Sequence, residues 1–230
     1  MKNITGDKTL ESMSQAVWYN QWTLSLLDRY LSGKILEVGC GIGNFTKTLT
    51  KYGDIVAIDI IDDYIKKTKN LVGDIVKVGF GDVEKGKYFF KDRDFDSIVC
   101  INVLEHIEDD KKSIENLYKL LRKDGHLILL IPAHKFLYGK IDESIGHYRR
   151  YEDKDVVSLL TKTGFKIIRI RKINLLGALG WWFFSNILKD NTINKSNISF
   201  FNLIAPIFLP LEKLFEPPIG TSILVIAQKV

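Results

Sequence analysis

A chain of 230 residues, 46% apolar and 27% charged, has the composition of an ordinary globular protein and the length for a single domain, 1–230, with its own core. The net charge is +5, but the basic residues are scattered apart from Arg149-Arg150 and Arg169-Ile170-Arg171-Lys172. With no stacking groove or groove-reading helix in view, no nucleic-acid partner is expected. Cys40 and Cys100 have neither disulfide nor metal spacing, and the polar start Met1 to Asp7 lacks the apolar stretch of a signal peptide, so a cytoplasmic setting is expected.

Ser12 to Leu31 predicts a helix rich in aromatics (Trp18, Tyr19, Trp22). It either packs on the flank of a sheet or makes segment 1–31 a helical lid, with Tyr19 or Trp18 reaching a bound ligand. Next comes Ile35-Leu36-Glu37-Val38, then Gly39-Cys40-Gly41-Ile42-Gly43, then a helix-like pattern at Phe45 and Leu49. This reads as a buried strand and a tight turn that presents backbone amides to a small polar ligand. The spacing departs from a dinucleotide fingerprint: the frame from Gly39 puts Asn44 at the third glycine position, and the frame from Gly41 puts Thr46 there. Glu37 would also sit awkwardly beside a diphosphate. It suits a ligand whose buried end is not anionic, or the turn's own amides.

The second apolar run, Ile55 to Ile58, closes at Asp59, an acid placed to accept both hydroxyls of a ribose. The third ends in Gly81-Asp82-Val83, and the fourth, Phe95 to Ile101, gives way to Asn102-Val103-Leu104-Glu105-His106-Ile107. Helical periodicity at Ile114, Leu117, Leu120 and Leu121 is predicted to stop at Asp124-Gly125. Strand runs at 35–38, 55–58, 75–80, 95–101 and 127–131 thus alternate with helices, which means a parallel sheet covered on both faces by right-handed crossovers. Ligands in such sheets bind at the carboxyl ends of the strands.

Glu37-x-Gly39-x-Gly41-x-Gly43, then Asp59, Gly81-Asp82-Val83 and Asn102 to Ile107 in that order, resembles the class I S-adenosylmethionine-dependent methyltransferases over Leu31 to Ile131. The likeness is to the methyltransferase 11/23 type and to the ubiquinone-biosynthesis O-methyltransferases. It implies an α/β, Rossmann-like fold: a seven-stranded, mostly parallel sheet whose last strand is antiparallel, with helices on both faces. It implies S-adenosylmethionine as cofactor, held by Glu37, Gly39, Cys40, Gly41, Gly43, Asp59, Ile60, Asp82, Val83 and Asn102. In that family Asp82 would take the adenine's exocyclic amine, the Val83 amide a ring nitrogen, and the segment from Asn102 would lie beneath the methionine moiety. Some ubiquinone-biosynthesis enzymes with similar Leu-Glu-His segments are held to bind a divalent metal with an additional acid. Here that position is Asn102, so no metal is expected, and Glu105-His106 would cap and pack the following helix.

The segment Ala133 to Tyr151 leaves the carboxyl end of the fifth strand, so it begins beside the cofactor site. Methyl transfer requires an aligned acceptor, and a hydroxyl acceptor must also lose a proton, for which histidine is the foremost side chain near neutrality. His126 precedes the fifth strand, at the wrong end of the sheet, which leaves His106, His134 and His147. His134, directly after the strand, is the first candidate base and His147 the second. Tyr138, Arg149 and Arg150 are candidate substrate contacts, the arginines suiting a carboxylate or phosphate. Alternatively, they pair with Glu152 or Asp153 in a helix-start network. The Leu-Tyr-Gly…Asp…Gly-His-Tyr-Arg-Arg-Tyr pattern is similar to one in a subset of these methyltransferases associated with sugar- or lipid-modifying pathways.

A helix from Asp153 to Thr163 leads to a sixth strand, Phe165 to Ile173, and Ile223 to Ala227 pairs antiparallel to it. Between these strands lies Asn174 to Thr221, an apolar helical insertion leaving a carboxyl strand end and so capping the active-site edge. Its two most apolar stretches, Leu175 to Phe184 and Phe200 to Leu211, are shorter than the ~18–20 residues that span a bilayer. The cap either buries its apolar side on the domain or lets Trp181-Trp182-Phe183-Phe184 enter a membrane surface. The expectation is therefore a methyltransferase that acts on the oxygen of a lipophilic or glycan-lipid small molecule, cytoplasmic or peripheral to a membrane, with a loop histidine as base. Two rivals stand beside it: an NAD(P)-dependent oxidoreductase, disfavoured by the missing third glycine and by Gly81-Asp82-Val83, and a non-catalytic cofactor-binding or partner-docking module.

Overall fold

Alternation along the strands sends Ile35, Ile55, Val99, Ile128 and Leu130 to one face of a sheet, and Leu36, Val56, Ile98, Leu127 and Leu129 to the other. Both sets are buried, which is why these strands read as continuous apolar runs rather than as alternating ones. The structure, a computed structural model, describes residues 11, 17–184 and 195–230.

The strands are β1 (Gly33–Val38), β2 (Gly53–Asp59), β3 (Lys77–Asp82), β4 (Lys87–Tyr88), β5 (Phe95–Ile101), β6 (Leu121–Pro132), β7 (Phe165–Ile173) and β8 (Ser222–Lys229). They form one sheet in the order β4-β3-β2-β1-β5-β6-β8-β7. The first strands pair in parallel, and β8 lies antiparallel between β6 and β7. The count is eight rather than seven because the two-residue β4 folds back on β3 as a hairpin, too short to carry a sequence pattern. The order reverses between β1 and β5, so their carboxyl ends flank the crevice where such sheets bind ligands.

On one face, α4 (Asp110–Leu120) and α6 (Asp153–Thr163) cover the sheet through Ile114, Leu117, Val156 and Leu160. The other face carries α1 (Val17–Ser25), α2 (Thr46–Leu49), α3 (Asp62–Val72) and α8 (Lys195–Phe208), through Trp22, Leu49, Ile65 and Ala205. The connection after β6 holds the short α5 (Lys140–Ile145), and the insertion opens with α7 (Leu175–Trp182).

One expected boundary changes. The helix before β6 ends at Leu120: Leu121 is already extended and pairs with Phe95, while Asp124, at φ 63°, and Gly125 lie in an irregularity inside β6. The described part of the N-terminal segment packs on the sheet face. Tyr19 and Trp22 are buried, and the Tyr19 ring meets Phe201 of α8 edge-on at 5.8 Å; residues 1–10 and 12–16 lie outside the described residues. The insertion 174–221 does rise from the carboxyl edge, for Ile173 and Pro132 both pair with Ser222. Glu212 clasps its base, accepting the Asn174 and Leu175 amides at 2.7 and 2.9 Å. Among the described residues no helix is long and apolar enough to cross a membrane.

Candidate active site

The turn after β1 runs through three glycines in the left-handed half of backbone space, with φ of 71° at Gly39, 54° at Gly41 and 90° at Gly43. A Cβ at Gly39 would meet Val103 at 2.3 Å, so this position admits no side chain without displacing the segment after β5. The amides of Gly39 and Cys40 donate to the Ile58 carbonyl at 2.8 and 3.0 Å. Cys40 is buried, leaving only its backbone to the turn.

Asp59, ending β2, holds this turn. Its Oδ2 accepts the Gly41 amide and its Oδ1 the Ile61 amide, both at 2.9 Å. Burial raises its pKa, against the opposing pull of the backbone amides. A carboxylate offers about four acceptor sites, so two amides leave it able to take ligand hydroxyls. Ile60 beside it is 62% exposed, an apolar side chain left open at the ligand edge.

Glu37 is buried under the turn. Its Oε2 has no hydrogen-bond partner among the described residues, and desolvation pushes its pKa up to about 8. A buried carboxyl oxygen without a partner is costly unless a donor or cation completes it. Asp82 ends β3 half-buried, accepting the Lys85 amide at 2.9 Å and pairing with its ammonium at 3.2 Å. Val83 is buried, and its carbonyl accepts from Asn116 at 2.9 Å. Asn102, at φ 52°, turns the chain out of β5 while its amide donates to Leu130 at 2.8 Å. The glycine turn, the open Glu37 Oε2 and Asp59 would suit the methionine and ribose parts of S-adenosylmethionine, and Asp82 and Val83 stand at the neighbouring strand end, where its base would lie.

The segment Ala133 to Tyr151 leaves the carboxyl end of β6. His134 sits at φ 63°, an uncommon conformation for a residue with a side chain, and is only 7% exposed. Its Nδ1 stands 3.4 Å from Glu152 Oε2, while its Nε2 is buried with no partner among the described residues. Glu152 also accepts the Lys135 amide at 3.0 Å.

The rest of the segment gathers around a residue that sequence reasoning missed. Asp142, in α5, is wholly buried. Its Oδ1 takes His147 Nδ1 at 2.7 Å and Arg150 Nε at 2.8 Å, and its Oδ2 the Gly139 amide at 3.1 Å and Trp181 Nε1 at 3.2 Å. Desolvation pushes its pKa upward, but His147 and Arg150 bring the net shift below the usual value. Two expectations are corrected here. Arg150 is 2% exposed, with its charge met by Asp142, the Ala133 carbonyl and the Trp181 ring 4.7 Å away, so it holds the loop rather than a substrate. Trp181 likewise points inward. Arg149 pairs with Asp110 at 2.9 Å and the Glu108 carbonyl at 2.7 Å, not with Glu152 or Asp153, and the Tyr138 hydroxyl donates to the His147 carbonyl at 2.8 Å. The available signal was the spacing Asp142-x4-His147-x2-Arg150, an acid close in sequence to two cationic partners.

Comparison with known proteins agrees with this geometry. Residues 36–129 match the family described as "Methyltransferase domain". The chain is 34% identical over 133 residues to phosphoethanolamine N-methyltransferase 1 of Triticum aestivum, covering 55% of this chain but only 27% of that protein's length. It is 24% identical over 175 residues to the ubiquinone biosynthesis O-methyltransferase of Rickettsia canadensis, covering 69% of this chain and 73% of the relative. An S-adenosylmethionine-dependent methyltransferase from Clostridium acetobutylicum superposes with a TM-score of 0.59 at 14% identity, over 91% of this chain and 90% of that one. The family match takes in 94 of the 230 residues, and the chain has the fold of the S-adenosylmethionine-dependent methyltransferases. S-adenosylmethionine is the cofactor that this match implies.

Proposed function

We propose that this methyltransferase acts on the oxygen of a lipophilic or lipid-linked acceptor, taken up beneath the apolar cap at a membrane surface, with His134 as the base. The observation that carries the reading is the cap's outer side. Leu179, Trp182, Phe183, Leu203, Ile207 and Leu214 are exposed, from 45% at Trp182 to 85% at Leu214, on an insertion rooted at the ligand-binding edge of the sheet. Exposed apolar side chains gathered on one insertion support a lipid or partner contact. Of the aromatic tetrad 181–184, Trp182 and Phe183 are exposed, while Phe184 is half-buried against Phe183 at 5.6 Å; Phe208 and Phe215 of the insertion are exposed as well.

The relatives divide between nitrogen and oxygen as acceptor, so their names do not choose the atom. The His134–Glu152 pair supports oxygen. A carboxylate near Nδ1 orients the ring, and the unpartnered Nε2 is left to receive a hydroxyl proton. S-adenosylmethionine supplies the methyl group; Glu37, the glycine turn and Asp59 hold and orient it, and the acceptor loop positions the oxygen. Alignment of this kind lowers a barrier by ~7–11 kcal/mol. The test is vesicle co-sedimentation of the full chain beside Trp182→Ser/Phe183→Ser. The reading expects sedimentation of the parent chain and its loss in the variant; equal behaviour removes the membrane contact.

A further inference from the structure

We infer that the cleft between α1 and the end of the insertion binds an anionic lipid headgroup. α1 (Val17–Ser25) and the 3-10 turn Leu209–Lys213, which follows α8, border a cavity of about 260 Å³. Trp18, Gln21, Trp22, Ser25, Pro210 and Lys213 line it, none of which belongs to the glycine turn, the strand ends or the acceptor loop. The site presupposes the membrane contact proposed above and gives that contact a choice of lipid.

The lining is amphiphilic and carries one charge. Trp18, Trp22 and Pro210 supply apolar walls, and Lys213 is the only ionisable side chain among the six. Lys213 is exposed, and no acid pairs with it among the described residues. The acids beside it in sequence are engaged elsewhere. Glu212 is buried and accepts the Asn174 and Leu175 amides, and Glu216 accepts the Lys172 amide at 3.2 Å. The cleft therefore offers an ammonium without a local counter-charge. A second group is unsatisfied as well: Nε1 of Trp22, a residue 4% exposed, has no acceptor among the described residues. Ser25 Oγ donates its own proton to the Trp22 carbonyl at 2.7 Å, so its lone pairs add no competing positive charge.

What surrounds the cleft sets the kind of anion. Leu211, Leu214 and Phe215, on either side of Lys213 in the chain, are exposed, and so is Pro210. A lone cation among exposed apolar side chains is the pattern of a segment that lies in a lipid interface, with its stem among apolar groups and its ammonium at headgroup level. The cavity is smaller than the ~300–1,000 Å³ of pockets that engulf drug-sized ligands, so it suits a headgroup and not a whole lipid. An anionic phosphate head would meet Lys213 there, with its acyl chains left outside the cleft.

The test is co-sedimentation of the full chain with vesicles of phosphatidylcholine alone and of equal parts phosphatidylcholine and phosphatidylglycerol, for the parent, Lys213→Gln, Ser25→Phe and Lys166→Gln. The parent should prefer the anionic vesicles, and Lys213→Gln should lose about fivefold of that preference, the weight of one cation at an anionic surface. Ser25→Phe, which fills the cleft and keeps the charge, should lose a similar factor. Lys166→Gln, at the opposite end of β7 from the insertion, should keep the preference of the parent. Lys213→Gln, at an exposed position, decides if Ser25→Phe fails to fold. Sedimentation of the parent with neither vesicle overturns the membrane contact and this site together. Equal sedimentation with both, or a preference that Lys213→Gln or Ser25→Phe retains or that Lys166→Gln loses equally, overturns the site alone. Competition by soluble glycerol phosphate as strong as that of the anionic vesicles assigns the cleft to a free phosphate and overturns the lipid.

Discussion

Trp181 Nε1 donates to Asp142 Oδ2 at 3.2 Å, which ties the apolar insertion to the acceptor loop through one buried carboxylate. The same carboxylate holds His147 and Arg150, so the cap, the loop and the turn after β5 share one polar centre. The aromatic tetrad therefore divides in function: Trp181 anchors the cap, and Trp182 with Phe183 faces outward.

That division predicts opposite behaviour at adjacent residues. Trp181→Phe removes a bond to a buried charge and should cost about 1–3 kcal/mol, seen as a lower Tm. Trp182→Ser should leave stability within about 0.5 kcal/mol of the parent, as surface changes do, while weakening vesicle binding. Thermal melts of both, run with the sedimentation assay, check this; similar losses of stability would contradict it.

Asp59 holds the glycine turn and, in the proposed site, the cofactor as well. Asp59→Ala releases the Gly41 and Ile61 amides and removes an acceptor of charge-assisted bonds, so affinity for S-adenosylhomocysteine should fall by about 1.5–3 kcal/mol. Calorimetric titration measures it, and an unchanged Kd would contradict the assignment.

Glu37 sets a pH dependence of stability. Below its ordinary value of 4.5 the carboxyl is protonated in both folded and unfolded chains and burial adds no ionic cost. Above that pH the unfolded chain ionises, while the folded chain stays protonated up to about 8, so folding loses stability across this window and then levels off. Glu37→Gln removes the effect. Its advantage over the parent should be near zero at about pH 4 and reach a few kcal/mol by about pH 8, growing by about 1.4 kcal/mol for each pH unit crossed within the window. Parallel denaturation profiles of the two chains across that range would contradict the burial argument.

His134→Asn keeps a residue that tolerates positive φ and removes the base. Turnover should drop by about 10²–10⁴-fold with cofactor affinity intact. Single-turnover methyl transfer alongside calorimetry separates the two quantities.

The sheet and the glycine turn were legible because each depends on residues close in sequence. Gly39, Gly41 and Gly43 adopt the backbone that only their spacing suggested, and Asp59 and Asp82 fall on strand ends. The helix Asp153–Thr163 was bounded correctly by its apolar periodicity and the following Gly164, which is left-handed at φ 103°. The acceptor side was legible only as a concentration of unusual residues. Which arginine faces inward depends on Asp142 and on Trp181, 39 residues further along, and no local pattern encodes that meeting. Likewise, the break of α4 at Leu120 depends on pairing with Phe95, so a turn signal at Asp124-Gly125 misled.

The proposed activity is tested most sharply by transfer of radiolabelled methyl from S-adenosylmethionine into a total membrane extract by the full chain, with the products partitioned between organic solvent and water. Label is expected in the organic phase, dependent on His134 and Asp59 and carried on oxygen. Label confined to water-soluble products, or to nitrogen, would contradict a lipophilic oxygen acceptor.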